Sequence, residues 1–243
     1  MKLSLIHPSR SRPGKSVQTI DKWINNTSPG ADLQLIVSLD EDDDVNGYIN
    51  TYSRNWLLDP HGPKPKSIIS NKNRSCVDAI NRGAEKATGD ILIVVSDDTD
   101  CFPGWDTALL KELEGKSDYL LKTDDGIQDY IVTMTVMDRK YYERDGHIYH
   151  PDYFHQFADT WLTVLADIRG RLIKSPLKFP HLHPGHSGGK LMSDALNHRN
   201  DLSWKDGLDT FKKHLKALPP GDLKKITDKS MIDFIRNYCK IPI

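Results

Sequence analysis

Cysteine is scarce in this 243-residue chain: Cys76, Cys101 and Cys239, with no CxxC spacing. So odd and sparse a set excludes a disulfide scaffold and a zinc ribbon as organising principles, and predicts a reducing, cytoplasmic setting. Long apolar runs are missing too. The longest, Ile91 to Val95, falls far below the roughly 18 residues that span a bilayer. Only Leu3, Leu5 and Ile6 precede His7 and Pro8, too few for the apolar stretch of a secretion signal. There is no internal repeat and no low-complexity segment. A soluble, intracellular, globular chain is expected.

Net charge is nearly absent as well, at −1, but it is unevenly spread. From Ile168 to the end there are 15 Lys/Arg against 7 Asp/Glu, whereas residues 1–167 hold 18 against 27. An acidic front suits the handling of cations and a basic back suits an anionic partner. The plainer reading of the back is a solvated face on terminal helices.

What is present in the first hundred residues is the alternation of a parallel α/β sheet. Strands are predicted at Lys2 to Ile6, Leu33 to Leu39, Ser67 to Ile69 and Ile91 to Val95, the last wholly apolar and therefore central. Between them, Ser16 to Asn26, Asn46 to Leu58 and Ser75 to Ala87 read as helices. Beyond residue 100 the pattern changes. Strands are expected at Tyr119 to Lys122, Tyr130 to Met137 and Leu172-Ile173, and helices at Asp138 to Arg144 and Phe157 to Ile168. Pro176 to Gly189 reads as a loop, and helices near Trp204 to Leu218 and Asp222 to Tyr238 close the chain.

In such a sheet, functional residues stand just past the carboxyl ends of the strands. Two acidic clusters fall there: Asp40 to Asp44 after the second strand, and Asp97, Asp98 and Asp100 after the fourth. Carboxylates crowded beside a sheet core repel one another unless a cation neutralises them. Hard divalent ions with a bound diphosphate are the natural partners of such a group. A polar turn capping the next helix is the alternative.

The run IVVSDDTDCFPGW resembles the metal-binding segment of family 2 glycosyltransferases with the GT-A fold. NRSCVDAINRGAEKATGD, Asn73 to Asp90, is similar to the segment that precedes it there, with Arg74-Ser75 where that family has a small residue. LSLIHPSRSRP and LQLIVSLDEDDD are similar to the family's first and second strands with their loops. Ala158-Asp159-Thr160-Trp161-Leu162, followed by Arg169-Gly170, resembles its E-D-x-x-L segment, with Ala158 in the place of the Glu. The likeness runs in order over residues 1 to about 190.

The resemblance implies a GT-A domain over 1–190, with a nucleotide-sugar half to about 100 and an acceptor half from 101, then a helical basic extension over 191–243. It implies an inverting transfer from a nucleotide-sugar, a UDP-sugar first, with Mn²⁺ or Mg²⁺ as cofactor. Asp40 would read the base, with Asp42 or Asp43 as competitors. Asp97 would face the ribose and Asp98 the metal, with Asp100 as the alternative ligand. Asp159 would be the general base. Pro8, Arg12 and Arg74 are further candidates for contact with the donor. A late His often completes the metal site in this family: His183 is the first choice and His181 the second. The two alternate, so an extended segment would point both to one side. Gly188 and Gly189 would let that loop close over the nucleotide.

The acceptor carries a hydroxyl, and the basic tail would suit a polyanionic one such as modified DNA or an anionic glycan. A nucleotidyltransferase is the rival enzyme, but Ser9 to Lys15 is only a faint phosphate loop. A non-catalytic module binding anions or nucleic acid through the tail is the other rival. That tail lacks aromatics interleaved with its basic residues.

Overall fold

The apolar runs of the first hundred residues become the parallel part of one seven-stranded sheet. The computed structural model describes residues 1–58, 67–182, 202–219 and 221–243. β1 (Leu3–Pro8) pairs in parallel with β2 (Leu33–Asp40) on one side and β4 (Ile91–Val94) on the other, and β3 (Ser67–Asn71) extends the sheet beyond β2. Past β4 lie β6 (Val136–Asp138), antiparallel to it, then β5 (Leu120–Asp124) and β7 (Leu172–Lys178). The chain leaves β1 toward β2 and returns on the other side as β4. The crevice at that reversal, past the strand carboxyl ends, is where an open α/β sheet binds ligands.

Alternation along the strands feeds two cores. Leu3, Leu5, Leu35, Val37, Ile91 and Ile93 pack on one face, under α1 (Pro13–Asn25), α2 (Val45–Leu58) and α4 (Trp105–Glu112). Ile6, Ile36, Leu92 and Val94 face the other way, toward α3 (Cys76–Lys86) and α6 (Ala158–Ile168). The short α5 (Arg139–Tyr142), α7 (Trp204–Ala217) and α8 (Lys229–Asp233), which runs on into a wide turn at Phe234–Tyr238, belong to this second side. In α1 the helical spacing of Val17, Ile20, Trp23 and Ile24 is the buried stripe, and Pro13 starts the helix where a missing N–H costs nothing. α3 is capped by Ser75, whose hydroxyl accepts from the Asp78 amide at 3.3 Å.

Three expected elements differ. The strand expected over 130–137 survives only as Val136–Asp138. Upstream of it, side chains take over the backbone and the loop: the Val132 amide donates to Thr163 Oγ1 at 3.0 Å, and the Thr133 hydroxyl donates to Asp125 at 2.6 Å. The strand expected at 172–173 runs on to Lys178 through Pro176, which is tolerated because β7 is a sheet edge. The final helix breaks at Thr227-Asp228. Asp167 accepts from both of their amides, and Asp228 then caps α8 through the Met231 amide at 3.0 Å.

Gly89 is fixed by proximity: a Cβ there would meet the Ser4 amide nitrogen at 2.8 Å and the Lys2 carbonyl at 2.9 Å. Gly89→Ala is therefore expected to cost about 1–3 kcal/mol, read as a lower urea midpoint at unchanged slope. Gly14→Ala, with open space around it, is the matched control and should be neutral or slightly stabilising.

Candidate active site

The turn after β4 is pinned from the α1 side of the sheet. The Trp23 indole donates to the Thr99 carbonyl at 3.0 Å, and Thr19 Oγ1 donates to the Asp97 carbonyl at 2.8 Å. Trp23 itself is wedged against Trp105 and Phe179, with ring centroids 4.9 and 5.5 Å apart. Inside the turn, the Ser96 hydroxyl donates to Asp98 at 2.6 Å. This geometry sorts the three carboxylates. Asp97 and Asp98 line a cleft of about 480 Å³, together with Pro8, Arg12, Asp40 and Asp159. Asp100 turns away, bonded to Lys22 at 2.6 Å and to the Cys101 amide, and is not part of the cleft lining.

Asp97 is buried and held by its neighbours: His7 Nε2 at 3.2 Å, the Ser9 hydroxyl at 3.3 Å and the Arg12 guanidinium at 3.6 Å. His7 Nδ1 donates to the Val95 carbonyl at 2.7 Å, which orients the ring.

His181 reaches Asp98 because the chain after β7 is laced between two loops. The Phe179 and His181 amides donate to the carbonyls of Asp124 and Asp125, while the Asp100 amide donates to the Pro180 carbonyl and the Leu182 amide to the Asp98 carbonyl. The resulting bridge between Thr99 and His181 leaves His181 Nε2 3.4 Å from Asp98 Oδ1. Burial works against the Asp98 charge, but the hydrogen bond and positive charge of His181, with help from Ser96, hold its carboxyl well below the usual range. Burial likewise opposes a charged His181, and Asp98 outweighs it, so the imidazole is raised. A carboxylate, an imidazole and a nearby hydroxyl make a donor set that suits Mn²⁺ and, through oxygen, Mg²⁺. His183, Gly188 and Gly189 lie outside the described residues.

At the end of β2, Asp40 accepts from Arg10 and from the Asn73 side chain, Nδ2 to Oδ1 at 3.0 Å. Arg10 also grips the exposed Asp42 at 2.8 and 2.9 Å, and Asp43 accepts from the Ser11 amide at 2.6 Å. Of the acids in this cluster only Asp40 lines the cleft. Arg74 does not: it is exposed, paired with Asp78 one helical turn on at 2.8 Å, and donates to the Pro151 carbonyl. Cys76 lines the cleft, but burial pushes its thiol up to about 12, with the nearby acids adding to the effect, so it stays protonated.

Asp159 stands in the first turn of α6, which begins at Phe157, a residue with φ of 69°. Its carboxylate accepts from the Thr160 amide at 2.7 Å and the Thr160 hydroxyl at 3.2 Å. Burial outweighs these bonds and the pull of His181, so the carboxyl is raised above its ordinary value. A carboxylate raised this way is a better proton acceptor than a solvated one. The cleft also takes in Ser9 and Arg10 from the loop after β1, and Gln128, Tyr149, Gln156 and Trp204, which nothing in the local sequence assigns to a site. Asn73, which holds Asp40, was visible only as the start of a helix-leading segment.

The family profile described as "Glycosyl transferase family 2" matches residues 4–162, and the chain belongs to that family. It is a glycosyltransferase of GT-A fold. Among solved structures it is similar to the mannosyltransferase PcManGT from Pyrobaculum calidifontis in complex with GDP-Man and Mn²⁺. That match has a TM-score of 0.67 and 17% identity, over 93% of this chain and 67% of the other. It is also similar to glucosyl-3-phosphoglycerate synthase from Mycobacterium tuberculosis in complex with Mn²⁺, UDP-Glc and glycerol 3-phosphate, with a TM-score of 0.58 and 15% identity over 90% and 82% of the two chains. No curated protein sequence matches the chain. No described helix is long and apolar enough to cross a membrane.

Asp159 also makes a stability prediction. Its carboxyl titrates higher in the folded chain than the ordinary 3.8, so the folded state holds that proton more tightly. The contribution is complete below the unfolded value and is lost as pH rises through the folded one. Asp159→Asn should therefore raise the urea midpoint at pH 7, with the gain fading toward about pH 4. An unchanged or lower midpoint at pH 7 would show that the buried charge carries no penalty.

Proposed function

We propose that this chain transfers a sugar from a nucleotide-diphosphate donor, a UDP-sugar by preference, to an acceptor hydroxyl with inversion at the anomeric carbon. The observation that carries the reading is the convergence of Asp40, Asp98, His181 and Asp159 on one cleft at the sheet's reversal point. Asp98 and His181 would hold Mn²⁺ or Mg²⁺. When bound, the cation supplies positive charge against the departing diphosphate. Asp97 would orient the ribose, and Asp40 would accept from the base. Pro8 and Arg12 would border the donor, with Arg12 contributing a fixed positive charge.

Asp159 would take the proton of the acceptor hydroxyl as its oxygen attacks the anomeric carbon from the side opposite the leaving group. Solved neighbours of the same fold bind GDP-Man or UDP-Glc with Mn²⁺, and UDP with Mg²⁺, which supports a metal-dependent nucleotide-sugar site here. Around Asp159 the cleft offers Gln128, Thr133, Tyr149, Phe154, Gln156 and Trp204. Amides, hydroxyls and rings favour an uncharged, sugar-like acceptor at the reacting centre. The basic tail would then meet a polyanionic carrier farther out, if the acceptor has one.

The test is thermal stability with UDP, GDP, CDP and ADP, each with and without Mn²⁺. One diphosphate should raise the melting temperature only when the metal is present. Asp98→Asn should lose that rise and Asp159→Asn should keep it, while transfer falls by about 10²-fold or more in both. Normal turnover in Asp159→Asn would remove the base, and a rise without metal would remove the cation. Acceptor binding that weakens steeply with salt would support the polyanionic carrier, and indifference to salt would exclude it.

A further inference from the structure

Away from the cleft, two histidines and an aspartate from distant parts of the chain meet at the junction of the tail with the catalytic fold. His214, on α7, sets Nε2 2.9 Å from Asp152 Oδ2. His150 sets Nδ1 4.0 Å from Asp152 Oδ1, and the two imidazole rings stand 4.5 Å apart between centroids. One donor atom from each of the three residues lies within 4.8 Å of the others. His150 and Asp152 are partly open to solvent, so an ion can enter, whereas His214 is only 11% exposed.

We propose that His150, Asp152 and His214 form a second metal site, for a first-row transition ion with Zn²⁺ preferred, that staples α7 to the segment preceding α6. Two imidazoles and one carboxylate are borderline donors that select Zn²⁺, Co²⁺ or Ni²⁺ over Mg²⁺ and Ca²⁺. Three protein ligands leave a fourth position for water. His150 Nδ1 accepts from the Asp152 backbone amide at 3.2 Å and would give up that bond to ligate, whereas the surroundings of His214 are already set. Tyr153 is buried, and its phenol oxygen lies 3.2 Å from His214 Nδ1. With Nδ1–H donating to that oxygen, Nε2 is the ring atom turned to Asp152, and an ion bound between the two would replace their present contact. Trp161 packs on the same imidazole, with centroids 4.9 Å apart. Lys213 Nζ, 3.9 Å from Asp152, would have to swing away, and Arg74, bonded to the neighbouring Pro151 carbonyl, adds a second positive charge nearby.

The staple would brace the wall opposite the donor. Asn81 already ties down that segment, accepting from the Ile148 and Tyr149 amides and donating to the Tyr149 carbonyl. Tyr149 and Phe154, on either side of the loop that carries His150 and Asp152, line the cleft.

Metal-stripped full-length protein is titrated with Zn²⁺ alone, in the wild type and in Asp98→Asn, so that the cleft's own metal binding is separated from this site. The expected result is one equivalent of Zn²⁺ that survives Asp98→Asn and raises the melting temperature. Adding Asp152→Asn or His150→Gln should weaken that equivalent by about tenfold or more and abolish the rise. These two side chains are partly exposed and their replacement leaves the core intact, whereas His214 is packed in. Co²⁺ absorption gives an independent readout, since loss of a histidine ligand changes the visible bands. Zn²⁺ stoichiometry, melting shift and Co²⁺ spectrum all unchanged by both substitutions would overturn the proposal. None of these readouts depends on sugar transfer, so the site stands or falls separately from the proposed activity.

Discussion

The structure depends on tolerating negative charge at the carboxyl ends of its parallel strands. Asp40, Asp97 and Asp98 open on the same cleft, and uncompensated they would repel one another beside a dry core. Each has a separate answer. Arg10 meets Asp40, His7 and Arg12 meet Asp97, and His181 meets Asp98. These partners come from the end of β1 with the loop after it, and from the loop after β7. The charge is thus neutralised only when the sheet is complete from its centre to its far edge. Exposed ion pairs contribute little, but a carboxylate as enclosed as Asp98 would be costly without its partner.

The two cores divide the support of this site. Trp23, Trp105 and Phe179 form one aromatic group, and through it α1, α4 and the end of β7 hold the turn that presents Asp98. Phe157, Trp161 and Phe211 form another, with Phe234 stacked on Phe157 and Trp204 edge-on to it, and it holds the first turn of α6 with Asp159. The C-terminal helices therefore reach the chemistry through packing. Phe211, Leu215, Met231 and Ile235 are buried in the same core as α6, while lysines such as Lys205 and Lys225 pair outward with Asp209 and Asp222. The uneven charge along the sequence reflects this arrangement: an apolar stripe turned inward leaves a basic face outside.

Much of the sheet could be read in advance, because wholly apolar runs such as Ile91 to Val95 have few other places to go. The acidic ends of β2 and β4 were legible for the same reason. What local pattern did not contain was pairing across distance. Nothing near Asp100 announces Lys22, and nothing near Asp98 announces that Leu182 will bond to its carbonyl and so bring His181 into reach. Alternation puts His181 and His183 on one side and cannot choose between them. Arg74 is a different case, since its turn-on-turn partner Asp78 was visible at helical spacing. The run IVTMTVM alternates like a pleat, yet its threonines bond side chain to side chain, Thr133 to Asp125 and Thr135 to Tyr149, and only its end is a strand.

The two carboxylates Asp98 and Asp159 are shifted in opposite directions although one histidine, His181, favours the charged form of both. Both are enclosed, and enclosure alone would raise both. At Asp98 the imidazole is in contact and the Ser96 hydroxyl adds a donor, so the ionised form wins and the group is suited to hold a cation. At Asp159 the same imidazole acts only at a distance, and the bonds from Thr160, with the favourable end of the α6 dipole, do not recover the hydration lost. Environments that separate the pKa values of two acids in one cleft assign them different work. A charged Asp98 and a more basic Asp159 would suit the proposed transfer, in which charge is held on one side of the reacting carbon and a proton removed on the other.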